Sequence, residues 1–395
     1  MIFLIVVPVI LVIIGGIHLY LWKRLVRDSL PRGRARRLAG FGVLVLALLI
    51  PLSLVGERLV PQGARPLLAW PGYVWLALMF YLLVTLVLLE IPRAAILLLW
   101  RSRRRTAEPE VTASEPTESE PAGVDRRLVL ARGMAIFAGL TAAGVTGYGM
   151  KTALGPPEIN RWAMPMAKLP RRMDGTRLAV VSDIHLGPLA GTHHVGRIVD
   201  LINSVEADIV CVVGDLVDGT VAELGRFATP LADIESRYGA YFVTGNHEYY
   251  SGYAPWVEEV AQLGVRPLRN ERVEINGLDL AGVNDLGGAQ YGDAPDFAKA
   301  LGDRDTTRPV VLMAHQPIAA RKAAPFGVDL QVSGHTHGGQ MAPFNLLVKL
   351  QQPVVSGYGD VDGVPVFVTN GAGTWGPPVR VGAPPQVTVI ELRTR

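Results

Sequence analysis

Hydrophobic positions along the chain follow two regimes, and the change between them falls near residue 150. Before it they come as long unbroken runs. Residues 2–22 contain no Lys, Arg, Asp or Glu, and at about 1.5 Å of rise per residue such a run crosses a hydrocarbon core of about 30 Å. A second run covers 38–56, and a third starts at Tyr73 and reaches Trp100, with Pro92 predicting a tilt or kink after Glu90. Residues 133–150 are uncharged and rich in Gly and Ala. They predict a fourth span, with an internal twin-arginine export signal built on Arg126 and Arg127 as the alternative. His18, inside the first run, is expected to pack between helices.

From Arg177 onward the runs become short and β-branched and end in Gly, Asp, Asn or His: 178–182, 208–213, 241–244, 310–314, 330–333, 364–369 and 387–392. Such runs read as strands. Helical patterns over 195–205 and 221–236 separate the first three, so the first half of this region is expected to be a parallel sheet with crossovers. The organisation predicted is three transmembrane helices over 1–100, a disordered cytoplasmic linker over 101–127 rich in Pro, Glu, Ser and Thr, and the fourth span or export signal over 128–150. A membrane-proximal linker over 151–176 and a catalytic domain over 177–395 complete it.

Composition sharpens this picture. A hydrophobic content of 49% with 18% charged residues and a mean hydropathy of +0.29 is too apolar for an ordinary soluble protein. The net charge of +3 is unevenly placed: residues 1–150 hold 17 Lys/Arg against 9 Asp/Glu, whereas 151–395 hold 21 against 26. A nucleic-acid groove is therefore not expected. The connection after the first run carries seven Lys/Arg and that after the third carries six, so both are expected in the cytoplasm. Four spans then place the domain from 177 onward outside an inner or plasma membrane. The single cysteine, Cys211, lies in an apolar strand run and is expected to be a small core residue.

Candidate metal ligands stand at successive strand ends, where an open α/β sheet presents its site. Asp183 and His185 are two apart and can converge on one ion. Gly214-Asp215, Gly245-Asn246-His247-Glu248, His315 and Gly334-His335-x-His337 follow later strands, so five of eight histidines sit at strand ends of one domain. The series Asp183-x-His185, Gly214-Asp215-x-x-Asp218, Gly245-Asn246-His247-Glu248, His315 and Gly334-His335-x-His337 resembles the calcineurin-like metallophosphoesterase superfamily. Further details resemble its bacterial membrane-anchored or exported branch. The resemblance covers about 177–393 and implies a four-layer α/β/β/α sandwich with two divalent metal ions. It implies that Asp183, His185 and His337 hold one ion, that Asn246, His315 and His335 hold the other, and that Asp215 bridges them. His247 would stand beside the leaving oxygen as a general acid.

The donor set of carboxylate, imidazole and amide suits Mn, Fe or Zn. Asp218 is expected either to orient a motif histidine or to cap the helix near Val221, and Glu248 to cap or staple. His193 and Tyr249 are expected as substrate contacts or as solvated and packed residues, and Arg380 either as a phosphate-oxygen donor or in a surface salt bridge. The expected function is that of a membrane-bound phosphoesterase acting on a phosphodiester, phosphomonoester or pyrophosphate, with a lipid-linked substrate favoured by the short connection to the membrane. The alternative is a transporter or receptor whose outer domain senses metal without turnover.

Overall fold

The computed structural model describes residues 2–56, 60–106 and 126–395. It divides into two compact units, 1–147 and 148–395.

The first unit is helical. α1 (Ile2–Leu21) continues into a π-helical segment Trp22–Arg27; α2 (Arg34–Gly56), α3 (Arg65–Thr106) and α4 (Arg126–Leu154) follow. Four stretches, Pro8–Arg27, Arg34–Leu54, Gln62–Trp100 and Arg126–Leu154, are long and apolar enough to cross a membrane. α3 runs through Pro71 and Pro92 as one helix. Of the expected linker, 101–106 end α3 and 126–127 open α4, while 107–125 lie outside the described residues. His18 packs as expected: Trp75 Nε1 donates to its Nε2 at 3.1 Å, and its Nδ1 lies 2.8 Å from the Ile14 carbonyl.

The second unit holds two six-stranded sheets. Its strands are β1 (Glu158–Met166), β2 (Arg177–Val181), β3 (Ile209–Val213), β4 (Ala240–Val243), β5 (Val265–Pro267), β6 (Glu271–Ile275) and β7 (Leu278–Gly282). β8 (Val310–Met313), β9 (Leu330–Ser333), β10 (Gly357–Val361), β11 (Val364–Val368) and β12 (Gln386–Thr394) complete them. The first sheet runs β1-β12-β2-β3-β4-β5 and the second β10-β11-β9-β8-β7-β6. β2 to β5 are mutually parallel, as expected for crossover units, and β12 enters antiparallel beside β2. The segment expected as a linker, 151–176, instead carries the end of α4 and β1, which pairs with β12 over nine residues. Its Asn, Arg and two-residue spacing of Pro and Met hide the strand, because an edge strand needs only one partner and tolerates Pro.

The period of two along each strand explains the layers. In β2, Leu178 and Val180 face a core shared with Leu280, Val311, Met313 and Val332 of the second sheet, while Ala179 and Val181 face helices. Those are α5 (Thr192–Ser204), α6 (Val221–Ala228) and α8 (Tyr253–Gln262), which follows the short α7 (Asn246–Ser251). Their apolar faces bring Ile198, Ile202, Leu224 and the fully buried Trp256 onto the sheet. Truncating Trp256 to Ala costs about 3–5 kcal/mol. On the outer face of the second sheet, α9 (Phe297–Leu301) and α10 (Ala320–Ala323) cover Val310, Leu312, Val366 and Val368. A last short helix, α11 (Asn345–Val348), lies in the loop after β9. The result is the expected α/β/β/α sandwich, and Cys211 is a buried strand residue within it.

Candidate active site

Each candidate ligand leaves the sandwich at a carboxyl strand end: Asp183 and His185 after β2, Asp215 after β3, Asn246 after β4, His315 after β8, His335 and His337 after β9. Five of them, Asp183, His185, Asp215, His335 and His337, hold left-handed backbone with φ between 50° and 71°. For residues with a Cβ this conformation is uncommon and is retained where surrounding contacts enforce it. The close approach of the loops depends on two glycines. A Cβ at Gly214 would lie 2.5 Å from the Gly245 nitrogen and 2.8 Å from His315 Nδ1, and one at Gly334 would lie 1.8 Å from Ser182 Oγ.

The ligand atoms fall into adjoining clusters. Asp183, His185 and His337 form one, Asp215, His315 and His335 another, and His185, Asp218 and His247 a third that shares His185 with the first. In the first, His185 Nε2 and His337 Nε2 are 3.0 Å apart and His337 Nε2 is 3.3 Å from Asp183 Oδ1, so a proton or a cation must lie between the two nitrogens. In the second, His315 donates Nδ1–H to the Val213 carbonyl at 2.8 Å, which turns its Nε2 toward Asp215 Oδ2 at 3.1 Å. Asn246 Oδ1 is buried without a hydrogen-bond partner, and His315 Nε2 has the Asp215 carboxylate as its one facing group. Buried polar atoms are rarely left so, and a divalent ion satisfies both. Burial and then the neighbouring His315 push His335 down to about 3, and burial with His185 and Arg380 holds His337 well below the ordinary histidine range. Both shifts favour the neutral imidazole, the form that ligates a metal.

Asp218 decides between its two expected roles by what it touches. Its Oδ1 lies 3.0 Å from His185 Nδ1 and 2.6 Å from His247 Nδ1, fixing both rings. The cap of α6 comes instead from Thr220 with Glu223. Burial opposes charge on Asp218, but His185 and His247 hold it well below the usual carboxylate range. Burial likewise disfavours a charged His247, yet the hydrogen bond to Asp218 and the charges of Asp215 and Asp218 outweigh it and raise His247 to about 9. His247 is also tied by its backbone N–H to Asp215 Oδ1 at 2.9 Å, and its ring lies 4.7 Å from that of His185. Glu248 is fully buried and accepts from Gly245 N, Asp215 N and Leu216 N, lacing two motif loops together.

Three expected substrate contacts are placed elsewhere. Arg380 is neither a phosphate donor nor a surface ion pair: it is fully buried, and its guanidinium donates to the carbonyls of His337, Asn370, Gly371, Gly373 and Ala383. Tyr249 is buried and donates to Asp293 Oδ2 at 2.7 Å. His193 is exposed on the first turn of α5. The rim of the site is formed by Tyr250, which like Tyr249 is a candidate for the mouth from its place beside Asn246 and His247 and is exposed with its ring 5.4 Å from His247, and by Trp375, given no such role, exposed at 5.9 Å. Asp285, at the end of β7, is buried, accepts from Gln316 Nε2, and is raised by burial despite His315. It follows no motif spacing, and the strand before it, β7, is not among the runs expected from the sequence.

Comparison with known proteins agrees with this geometry. The calcineurin-like phosphoesterase family matches residues 176–339. An uncharacterized metallophosphoesterase of Helicobacter pylori strain J99 is 37% identical over 256 residues, 64% of this chain and 68% of that protein. The chain is a calcineurin-like metallophosphoesterase. A zebrafish (Danio rerio) transmembrane protein with metallophosphoesterase domain is 35% identical to this phosphoesterase over 74% of its length, and the match spans 66% of the zebrafish protein. About a third of each of these two relatives thus lies outside the match. An uncharacterized metallophosphoesterase of Aquifex aeolicus is 34% identical over 60% of this chain and 91% of its own. The buried His and Asp clusters of the phosphoesterase fit the dinuclear metal site of its family.

Proposed function

We propose that this phosphoesterase hydrolyses a phosphodiester or pyrophosphate bond of a lipid-borne substrate at the outer face of the plasma membrane. The observation that carries the hydrolytic reading is the convergence of buried ligand atoms on one place, Asn246 Oδ1 without a hydrogen-bond partner and His315 Nε2 turned onto Asp215. Asp183, His185 and His337 would hold one divalent ion, Asn246, His315 and His335 would hold a second, and Asp215 would serve both. These oxygen and nitrogen donors suit Mn, Fe or Zn. Bound there, two ions supply positive charge to the phosphoryl oxygens and a water of lowered pKa. His247, held protonated by Asp218, gives its proton to the leaving oxygen. Tyr250 and Trp375 flank that histidine at the rim.

The outer placement rests on the seven and six Lys/Arg of the two basic connections. The lipid-borne substrate rests on the chain's own tether, because only Gly155, Pro156 and Pro157 separate α4 from β1, and confinement near a membrane raises the effective concentration of esters held in it. Full-length protein in vesicles, loaded with manganese, should hydrolyse lipid-borne phosphodiesters faster than a soluble aryl phosphodiester at matched bulk concentration. Equal rates on the two would reject the lipid assignment, and no hydrolysis of either would reject the enzyme. A reporter fused after Arg395 that is active only in the cytoplasm would reject the placement.

A further inference from the structure

The loop after β9 presents large apolar side chains to solvent. Leu346, Leu347 and Leu350 are 60%, 58% and 83% exposed, and Phe344 is 46% exposed. Single exposed leucines are ordinary, but four large apolar groups within seven residues form a patch that marks an interaction surface. The loop is built to hold them outward. A Cβ on Gly339 would lie 2.3 Å from Asn345 Cβ, so α11 sits directly on the turn that follows His337. At the other end Gln352 is buried and accepts from the Ile318 N–H at 3.1 Å.

Charge and position select what covers this patch. Residues 330–359 and 363–390 contain no Asp or Glu, although residues 151–395 as a whole carry 26. Lys349 stands among the leucines, and the other Lys or Arg of those two stretches, Arg380, is buried. Exposed leucines with a long cationic side chain among them and no acid in the surrounding stretch 330–359 suit the headgroup region of a bilayer. The patch also adjoins the end of a membrane-crossing helix. The Arg380 N–H donates to the Gly149 carbonyl of α4 at 2.9 Å, and a Cβ on Gly149 would lie 2.5 Å from Val379 and 2.8 Å from Val381. The same strip pairs with the loop, Val381 N–H to Gln340 O at 2.8 Å and Ala342 N–H to Val381 O at 3.0 Å, two residues before Phe344. On the last turns of α4, Tyr148 and Leu154 are exposed too.

We infer that the segment 344–350 is an interfacial anchor: its leucines enter the bilayer that α4 crosses, and Lys349 rests among the phosphate headgroups. The anchor leads straight to the rim of the active site. Gln340 Nε2 donates to the Trp375 carbonyl at 3.0 Å and Gln340 Oε1 accepts from the Trp375 N–H at 3.1 Å, which couples the loop to the indole beside His247. If the phosphoesterase reading holds, a headgroup ester reaches the metal ligands along this path; the membrane contact itself does not depend on that reading.

The test uses full-length protein reconstituted in vesicles of phosphatidylcholine and phosphatidylglycerol. Single-cysteine labelling with an environment-sensitive fluorophore at Leu347→Cys and Leu350→Cys is practicable because Cys211 is buried. Folding of each variant is checked by its unfolding temperature, independently of activity. Lipids spin-labelled near the headgroup should remove most of the emission at 347 and 350 while leaving a label at Arg237→Cys, on an exposed side chain, unaffected. A label at Lys349→Cys should be quenched in the same way, and Leu347→Asp with Leu350→Asp in that background should abolish its quenching. Water-like, unquenched emission at 347 and 350 would overturn the inference. So would dry emission that the lipid spin labels do not reach, because a protein surface would then cover the patch.

Discussion

Arg380 is the group whose loss should be felt most for the least change in surface. It is fully buried, and among the described residues no carboxylate pairs with it; its charge is met by five backbone carbonyls. Burial lowers it only to about 10, so it is a cation at neutral pH. Two of those carbonyls keep another donor if it is removed, His337 O from Gln340 N and Gly371 O from Gln386 N. Asn370, Gly373 and Ala383 would be left without the partner Arg380 supplies. At about 1–3 kcal/mol for each buried unsatisfied group, Arg380→Met should cost roughly 3–9 kcal/mol, with water entry favouring the lower end. For a unit of this size, roughly 3 kcal/mol corresponds to a fall of about 6–12 °C in Tm. Arg380→Lys should recover little, because one ammonium cannot span carbonyls that a planar fork reaches. Since the guanidinium also lies 3.3 Å from His337 Nδ1, metal content should fall with Tm. Thermal unfolding of the purified full-length protein and elemental analysis of its metal are the measurements. A Tm within about 3 °C of wild type, about the effect of 1 kcal/mol, with unchanged metal content would refute the reasoning.

Asp215→Ala should remove bound metal and activity together if its carboxylate bridges the two ions as proposed; retention of two tightly bound ions, by elemental analysis, would disprove the bridging role. His247→Ala should keep both ions while turnover falls by about 10² to 10⁴, the scale for a positioned acid, and loss of metal would make His247 a ligand instead. Asp218→Asn should weaken metal binding by about 10- to 100-fold through His185, as loss of an orienting partner does. In metal-stripped protein the same change should bring His247 from about 9 toward its ordinary 6.5, read by an imidazole NMR titration. The sign follows from the raised value: the stabilisation from charged His247 is complete below about pH 6.5 and is lost as pH rises through about 9, and Asp218→Asn should flatten that dependence. An unmoved titration would remove Asp218 as the cause.

Several elements hidden in the sequence had a reason to be hidden. β6 and β7 join through Asn276 and Gly277, both at positive φ, which is the two-residue hairpin signal. Their strands mix Glu, Arg and Asp with apolar residues, so the signal was present but the runs were not continuous. β10 reads Gly-Tyr-Gly-Asp-Val at a sheet edge and carries little β-branched character. Arg380 sits in a stretch rich in Gly and Pro that reads as a surface loop, and nothing local reveals that five carbonyls converge on it.

What the sequence determined by itself was set by local periodicity. Runs of about twenty apolar residues, strand runs of period two, and the residues that close each parallel strand are all properties of short windows, and the candidate ligands stand at those strand ends; their division between two ions is what the family resemblance implies. Which atoms meet was decided by tertiary structure. His185 and His337 face each other across 152 positions of chain, and Asp218 reaches His185 across 33. At these loops the direction of a side chain depends on left-handed backbone that long-range packing enforces, so spacing alone does not carry it. That is why the neighbours Tyr249 and Tyr250 part company, one buried on Asp293 and the other at the rim beside His247.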